Sequence, residues 1–306
     1  MTKTTKASTG HLLALFTMLV WGTTFISTKW LLVDFTPVEI LVFRFVLGYA
    51  ALLLIYPRFQ RIASFREERL FMAAGLCGVT LYFLIENVAL EYTLASNVGV
   101  IVSIAPFFTA VIAHFALDGE RLNRNFMLGF GIALMGIILI SFHGQTVLQI
   151  NPLGDLLAFI APAVWAFYSV LMRKIGQLGY HAIGATRKVF GYGLLFMIPA
   201  VWLKGVHPDP ARLLVPANAA NLLFLGLGAS ALCFVTWNRA VHLLGAVKTS
   251  VYIYLVPVIT VIASTLLLRE PLTWGTVLGA LLTLVGSYLS ERPARAGRAS
   301  RLRAIK

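Results

Sequence analysis

The stretch GLCGVTLYFLIENVALEYTLASNVGVIVSIAPFFTAVIAHFAL (75–117) recurs 151 residues later, without a gap, as GLGASALCFVTWNRAVHLLGAVKTSVYIYLVPVITVIASTLLL (226–268). Apolar runs match cheaply, but the collinear pairs Gly75/Gly226, Asn87/Asn238, Ala95/Ala246 and Pro106/Pro257 do not. The correspondence extends outward from this block. With one residue removed, Glu120, Leu122, Gly129 and Gly136 fall on Glu270, Leu272, Gly279 and Gly286. An offset of 143 carries RFVLGYAALLLI (44–55) onto RKVFGYGLLFMI (187–198), pairing Arg44 with Arg187. An offset of 144 carries residues 10–29 onto 154–173, pairing Trp21 with Trp165. The chain reads as one unit written twice, 11–142 and 154–290, followed by a basic tail, 291–306.

Composition sets the medium. Of 306 residues, 59% are hydrophobic and 12% charged, about half the charged share of a soluble domain (about 25%). Ten apolar runs lie near 11–32, 37–56, 69–91, 95–116, 125–142, 154–174, 181–203, 218–242, 246–268 and 273–290. Their length, about 18 to 25 residues, suits helices that cross a bilayer. The connections leave no room for a soluble domain. The first run follows Lys3 and Lys6, as in a secretory signal, but it is long and lacks a small-residue cleavage site, so it reads as a retained span.

The expected fold is therefore an all-α integral membrane protein of ten transmembrane helices. Five spans per unit is an odd number, so the second unit enters the membrane upside down. With the N-terminus in the cytoplasm, 16 of the 25 Lys and Arg fall in cytoplasmic segments and three (Lys204, Arg212, Arg269) outside. This asymmetry places both termini in the cytoplasm. The twin loops agree: GERLNR (119–124) carries two arginines, whereas REPLTW (269–274), on the opposite side, carries one. The +13 charge then faces anionic lipid headgroups rather than nucleic acid. Inverted repeats are the architecture of alternating-access transporters, whose site lies near the midplane where the repeats meet.

Candidate site residues follow from depth. Trp21 is ten residues past His11, roughly 15 Å into the membrane, away from the interfacial belts tryptophan favours. Trp165 repeats the position. Tyr82 and Glu86 share one helix face, with Asn87 beside them. The twin region holds Trp237 and Asn238, and Tyr168, Lys248 and Tyr252 complete the set. Glu86 is a carboxylate within a span, which is costly unless paired, neutral or wet; it is compatible with an ion pair to Lys29, near the same outer end of the first span, or with contact to a ligand ammonium or a proton. Pro106 and Pro257 stand mid-span, where a missing N–H favours a kink, and are candidate hinges. Arg44 and Arg187 are compatible with either snorkelling or ligand contact. Gly129, Ala133 and Gly136, with Gly275, Gly279 and Gly286, suit close helix packing between repeats or between protomers.

Cys77 and Cys233 lie in apolar runs and suggest neither a disulfide nor a metal site. GLGASA (226–231) formally fits a dinucleotide fingerprint but follows no strand. No cofactor is expected, no enzymatic constellation appears, and transport would be driven by a gradient. A monomer is expected.

The segments LVWGTTF (19–25), FRFVLGYA (43–50), 87–122 ending in GERL, and 238–272 ending in REPL resemble the EamA type of drug/metabolite transporter. The resemblance implies a ten-helix fold and export or exchange of small metabolites, amino acids among them, across the inner membrane. The aromatic content of the candidate cavity is similar to that of the aromatic amino-acid exporter branch. Aromatic side chains (Trp21, Tyr82, Trp165, Tyr168, Trp237, Tyr252) would contact an apolar side chain, and Glu86, Asn87, Asn238 and Lys248 would hold the zwitterion. The rival readings are a carrier of phosphorylated metabolites, which would use Lys248 and Arg239, and efflux of another class of drug or metabolite.

Overall fold

The computed structural model describes residues 3–58, 60–92, 101–118, 120, 123–141, 152–206, 209–268 and 274–291, and every element among them is helical. The first half runs α1 (Lys3–Leu31), α2 (Pro37–Ile55), α3 (Phe65–Gly75), a π-helical stretch (Leu76–Leu81), α4 (Tyr82–Tyr92), α5 (Ala105–Ala116) and α6 (Arg124–Ser141). The second runs α7 (Pro152–Gln177), α8 (Ala182–Lys204), α9 (Pro210–Leu213) and α10 (Pro216–Leu223). A second π-helical stretch (Phe224–Leu232), α11 (Cys233–Leu244) and α12 (Ala246–Ser250) follow. A 3-10 turn (Val251–Tyr254), α13 (Leu255–Leu268) and α14 (Trp274–Glu291) complete it. The twin loop segment 269–273 and most of the basic tail lie outside the described residues.

Five helices are long and apolar enough to cross a membrane: Thr5–Thr28, Pro37–Ile55, Phe65–Ala89, Pro152–Gln177 and Pro216–Leu244. Shorter apolar helices cover Ala105–Ala116, Arg124–Ile140, Ala246–Ile259 and Val277–Ser290. Hydroxyls inside the long helices are satisfied locally. In α1, Thr17, Thr23 and Thr24 donate to the carbonyls of Leu13, Val20 and Trp21 at 2.7–2.8 Å, as an apolar medium demands. The start of α2 is fixed by a capping box: Thr36 N–H donates to Glu39 Oε2 (2.8 Å), and Glu39 N–H to Thr36 Oγ1 (3.3 Å).

The two halves interlock. Helix α1 lies against α11 and α13; α7, its counterpart at offset 144, lies against α4 and α5. Helix α2 packs on the second π stretch and α8 on the first. Those π stretches themselves overlap when shifted by 151 residues. Helices α6 and α14 touch through glycine: a Cβ on Gly136 would stand 2.5 Å from the Gly279 carbonyl oxygen, and one on Gly279 2.6 Å from that of Gly136. The small residues therefore join helices of one chain, one from each half.

One proline calls for a correction. Both were expected in helix interiors, but a turn at 103–104 precedes α5, so Pro106 stands second in its helix, where a missing N–H costs little, and starts it. Pro257 differs: α12, the 3-10 turn and α13 follow one another without a non-helical residue, so it stands inside a continuous helical stretch, just past the 3-10 turn.

The surface is inverted relative to a soluble protein, with Leu54, Phe115 and Trp202 all more than 80% exposed. The six tryptophans divide cleanly. Trp30, Trp202 and Trp274 are exposed at or near helix ends, the belt position, whereas Trp21, Trp165 and Trp237 meet in the centre.

Candidate substrate-binding site

The central tryptophans form an aromatic floor. Trp21 meets Trp165 edge-to-face with ring centroids 5.4 Å apart, and Trp237 lies 5.3 Å from Trp21, within the spacing that aromatic pairs prefer. Tyr82 packs on Trp165 at 5.0 Å, and Phe234 joins from α11 at 5.7 Å from Trp21. Above this floor is a cavity of about 120 Å³. It reaches along α1 and α2 to Thr28 and Ile40, toward the turn that joins those helices.

Helical spacing explains which residues reach it. Trp21, Thr24 and Thr28 follow one face of α1; Leu41 and Arg44 one face of α2; Tyr82, Phe83, Glu86 and Asn87 one side of α4. Val102 and Ala105 come from the first half, Trp165 from α7, and Ile253 and Val256 from the second half. The cavity is thus mostly apolar with a few convergent polar groups, the usual constitution of a ligand site.

Two opposite charges stand in that wall. Glu86 is 8% exposed and accepts the Tyr82 hydroxyl at Oε1 (2.9 Å). Arg44 is 7% exposed; its Nε donates to Ser230 Oγ (3.0 Å), and its guanidinium carbon sits 4.7 Å from the Phe83 ring centroid. Among the described residues, Arg44 and Glu86 do not form an ion pair with each other. Buried charges are normally paired; neither has a charged partner among the described residues, which leave out the Lys29 side chain, and this leaves room for a ligand that carries both signs. The indole Nε1 of Trp165 is likewise buried without a partner among the described residues, whereas that of Trp21 donates to the Ala229 carbonyl (2.9 Å).

Five residues of the expected site, Trp21, Tyr82, Glu86, Asn87 and Trp165, line the cavity. The other five do not. Trp237 belongs to the floor but does not line the cavity, and its indole Nε1 is buried without a hydrogen-bond partner among the described residues. Tyr168 and Asn238 lie beneath: the Tyr168 hydroxyl donates to Asn238 Oδ1 (2.8 Å), and Asn238 Nδ2 donates to Thr186 Oγ1 (3.0 Å). Tyr252 pairs its hydroxyl with His11 Nδ1 (2.7 Å) near the start of α1. Lys248 is exposed on the short helix α12 and stands outside the cavity. Arg44, undecided from sequence, is a cavity wall. Its position one turn after Leu41 and its charge inside an apolar run were the available signals, but snorkelling would have produced the same pattern.

The twin of Arg44 behaves differently. Arg187 donates to the backbone carbonyls of Tyr56 and, at 2.8 Å, Arg58, beyond the end of α2. The far end is further tied by Glu120, which accepts from the N–H groups of Ala246 (2.9 Å) and Val247 (2.7 Å) and faces Arg173 at 3.4 Å.

Comparison with known proteins places this geometry. The model of the EamA-like transporter family matches twice, over residues 8–142 and 152–291. An uncharacterized transporter of Archaeoglobus fulgidus is 29% identical over 92% of this chain and 96% of its own length. The uncharacterized transporter YyaM of Bacillus subtilis is 28% identical over 87% of this chain and 88% of its own. A solved crystal structure superposes with a TM-score of 0.76 at 18% identity, covering 96% of this chain and 99% of that one; this likeness concerns the fold alone.

Proposed function

The chain belongs to the EamA-like transporter family, and from that premise we propose that it exports amino acids with apolar or aromatic side chains by alternating access. Ten spans in two inverted five-helix repeats, with both termini in the cytoplasm of an inner-membrane protein, complete the reading. A monomer holds every residue of the cavity. The observation that carries the substrate class is the placement of Arg44 and Glu86 in one aromatic-walled cavity without an ion pair between them. A zwitterion satisfies both: its carboxylate meets the guanidinium, its ammonium meets the carboxylate, and its side chain rests on Trp21, Trp165 and Phe83. Arg44 is the one cation among the described lining residues, and a dianionic phosphate would have to enter beside Glu86. That disfavours the phosphorylated-metabolite reading.

Pro106, at the start of α5, and Pro257, just past the 3-10 turn, keep a part in this scheme as hinges beside the cavity. Replacing either with alanine slows flux while leaving substrate affinity in place. The test of function is uptake into vesicles containing the protein, with L-phenylalanine and L-leucine measured against glucose 6-phosphate. Saturable amino-acid flux supports the reading; flux of the sugar phosphate alone overturns it.

A further inference from the structure

The twin residues differ in what they hold, although the sequence makes them equivalent. Arg44 faces the cavity with only its Nε engaged among the described residues, while Arg187 spans two backbone carbonyls at the end of α2. Trp165 has an indole N–H in the cavity wall with no partner among the described residues, while Trp21 has its own docked on Ala229 in the second π stretch. Shifted by 151 residues, Ala229 corresponds to Gly78 in the first π stretch, so the matching dock for Trp165 is the Gly78 carbonyl. The ring of Tyr168 packs against the Cα of Gly78, so closely that a Cβ there would collide with it, while the Tyr168 hydroxyl holds Asn238.

We propose that the two arginines and two tryptophans hand the substrate carboxylate from one half of the transporter to the other. In the state described here, the guanidinium of Arg44 and the indole N–H of Trp165 receive it, and their twins are held by backbone carbonyls. In the opposite state Arg187 and Trp21 are released to receive it, Trp165 docks on Gly78, and Arg44 turns away from the carboxylate. Movement of Tyr168 links the two events, since leaving Gly78 also breaks its bond to Asn238 and opens the side beneath the floor. No covalent step is involved. Arg187 and the two indoles exchange a carbonyl acceptor for a carboxylate as the halves alternate.

The proposal takes its ligand from the amino-acid reading but not its asymmetry, and the experiment separates the two. L-Phenylalanine flux is measured from each face, in right-side-out and everted membrane vesicles. Arg44→Gln and Trp165→Phe raise KM about tenfold or more at the face to which the described cavity opens, and less than threefold at the other. Arg187→Gln and Trp21→Phe show the mirror pattern. Equal effects of all four at both faces overturn the hand-over. The Trp→Phe pair keeps aromatic bulk, so it remains informative if the arginine variants fail to fold. If the wild type carries no L-phenylalanine, the substrate reading fails. The hand-over is then judged by water exchange of 15N-labelled indole N–H groups, assigned with the same two tryptophan variants. Slow exchange at Trp21 and fast exchange at Trp165 supports it; equal rates overturn it.

Discussion

Glu86→Gln is the sharpest perturbation of the proposed site because it changes charge and almost nothing else. The Tyr82 hydroxyl donates to Glu86 Oε1 at 2.9 Å, and a glutamine carbonyl oxygen can accept the same bond. Side-chain volume is nearly unchanged, so the cavity keeps its shape. What is lost is a charged acceptor for a ligand ammonium. A hydrogen bond to a charged group contributes about 1.5–3 kcal/mol net, and each 1.4 kcal/mol is a factor of about ten. The expected rise in KM for L-phenylalanine is therefore about ten- to a hundredfold. Because loss of fold or gating would also raise KM, the interaction is isolated by changing the ligand as well. Removing the amine, as in 3-phenylpropionate, should cost the wild type a similar factor and the Glu86→Gln variant little. Inhibition of L-phenylalanine uptake by 3-phenylpropionate supplies the two remaining corners of the cycle. If the penalties for removing the amine are the same in wild type and variant, the ammonium does not meet Glu86 and the zwitterion argument is refuted.

Three further outcomes follow from particular contacts. Gly136→Ala drives a methyl into the Gly279 carbonyl and should lower stability by about 1–3 kcal/mol; Gly131→Ala on the same helix meets open space and should be neutral or stabilising, as thermal melting in detergent will report. Tyr168→Phe removes the bond to Asn238, about 1 kcal/mol, so thiol labelling of Ser169→Cys in a background lacking Cys77 and Cys233 should rise about fivefold; an unchanged rate would show that this bond does not hold the side beneath the floor closed. Lys248→Gln should leave amino-acid KM within about twofold, since Lys248 is exposed outside the cavity and its side chain touches no ligand; a tenfold rise in direct vesicle uptake would place that lysine in the path.

The helical architecture was legible because an apolar medium leaves the sequence few choices: apolar runs of spanning length must satisfy their own backbone, and helix falls on each of the ten runs as far as they are described. Pro106 was misread for a local reason. A missing N–H marks a defect in a continuous helix, but the same residue starts a helix without cost, and hydropathy does not report whether the backbone before it is broken. The π stretches left a fainter trace. Glycine-rich GLCG and GLGA occur at matched positions, yet glycine alone does not distinguish a π turn from close packing.

The site was legible to the extent that it obeys symmetry. Depth and helix face bring Trp21, Trp165, Tyr82 and Glu86 to the centre, and both follow from counting residues. Which of two equivalent sets faces a cavity does not follow from counting. Trp237 stands where Glu86 stands in the first half, and Arg187 where Arg44 stands, so the sequence offers both sets at equal depth. The structure presents one conformation of a molecule whose halves are alike in sequence, and that conformation commits Tyr168, Asn238 and Arg187 to internal partners while leaving Glu86, Arg44 and Trp165 facing the cavity. Tyr168 and Asn238, expected in the site, are held beneath its floor by their own hydrogen bonds. On the proposed exchange between halves, choosing which set faces the cavity takes a free-energy difference between two packings of the same contacts, which no composition or spacing encodes.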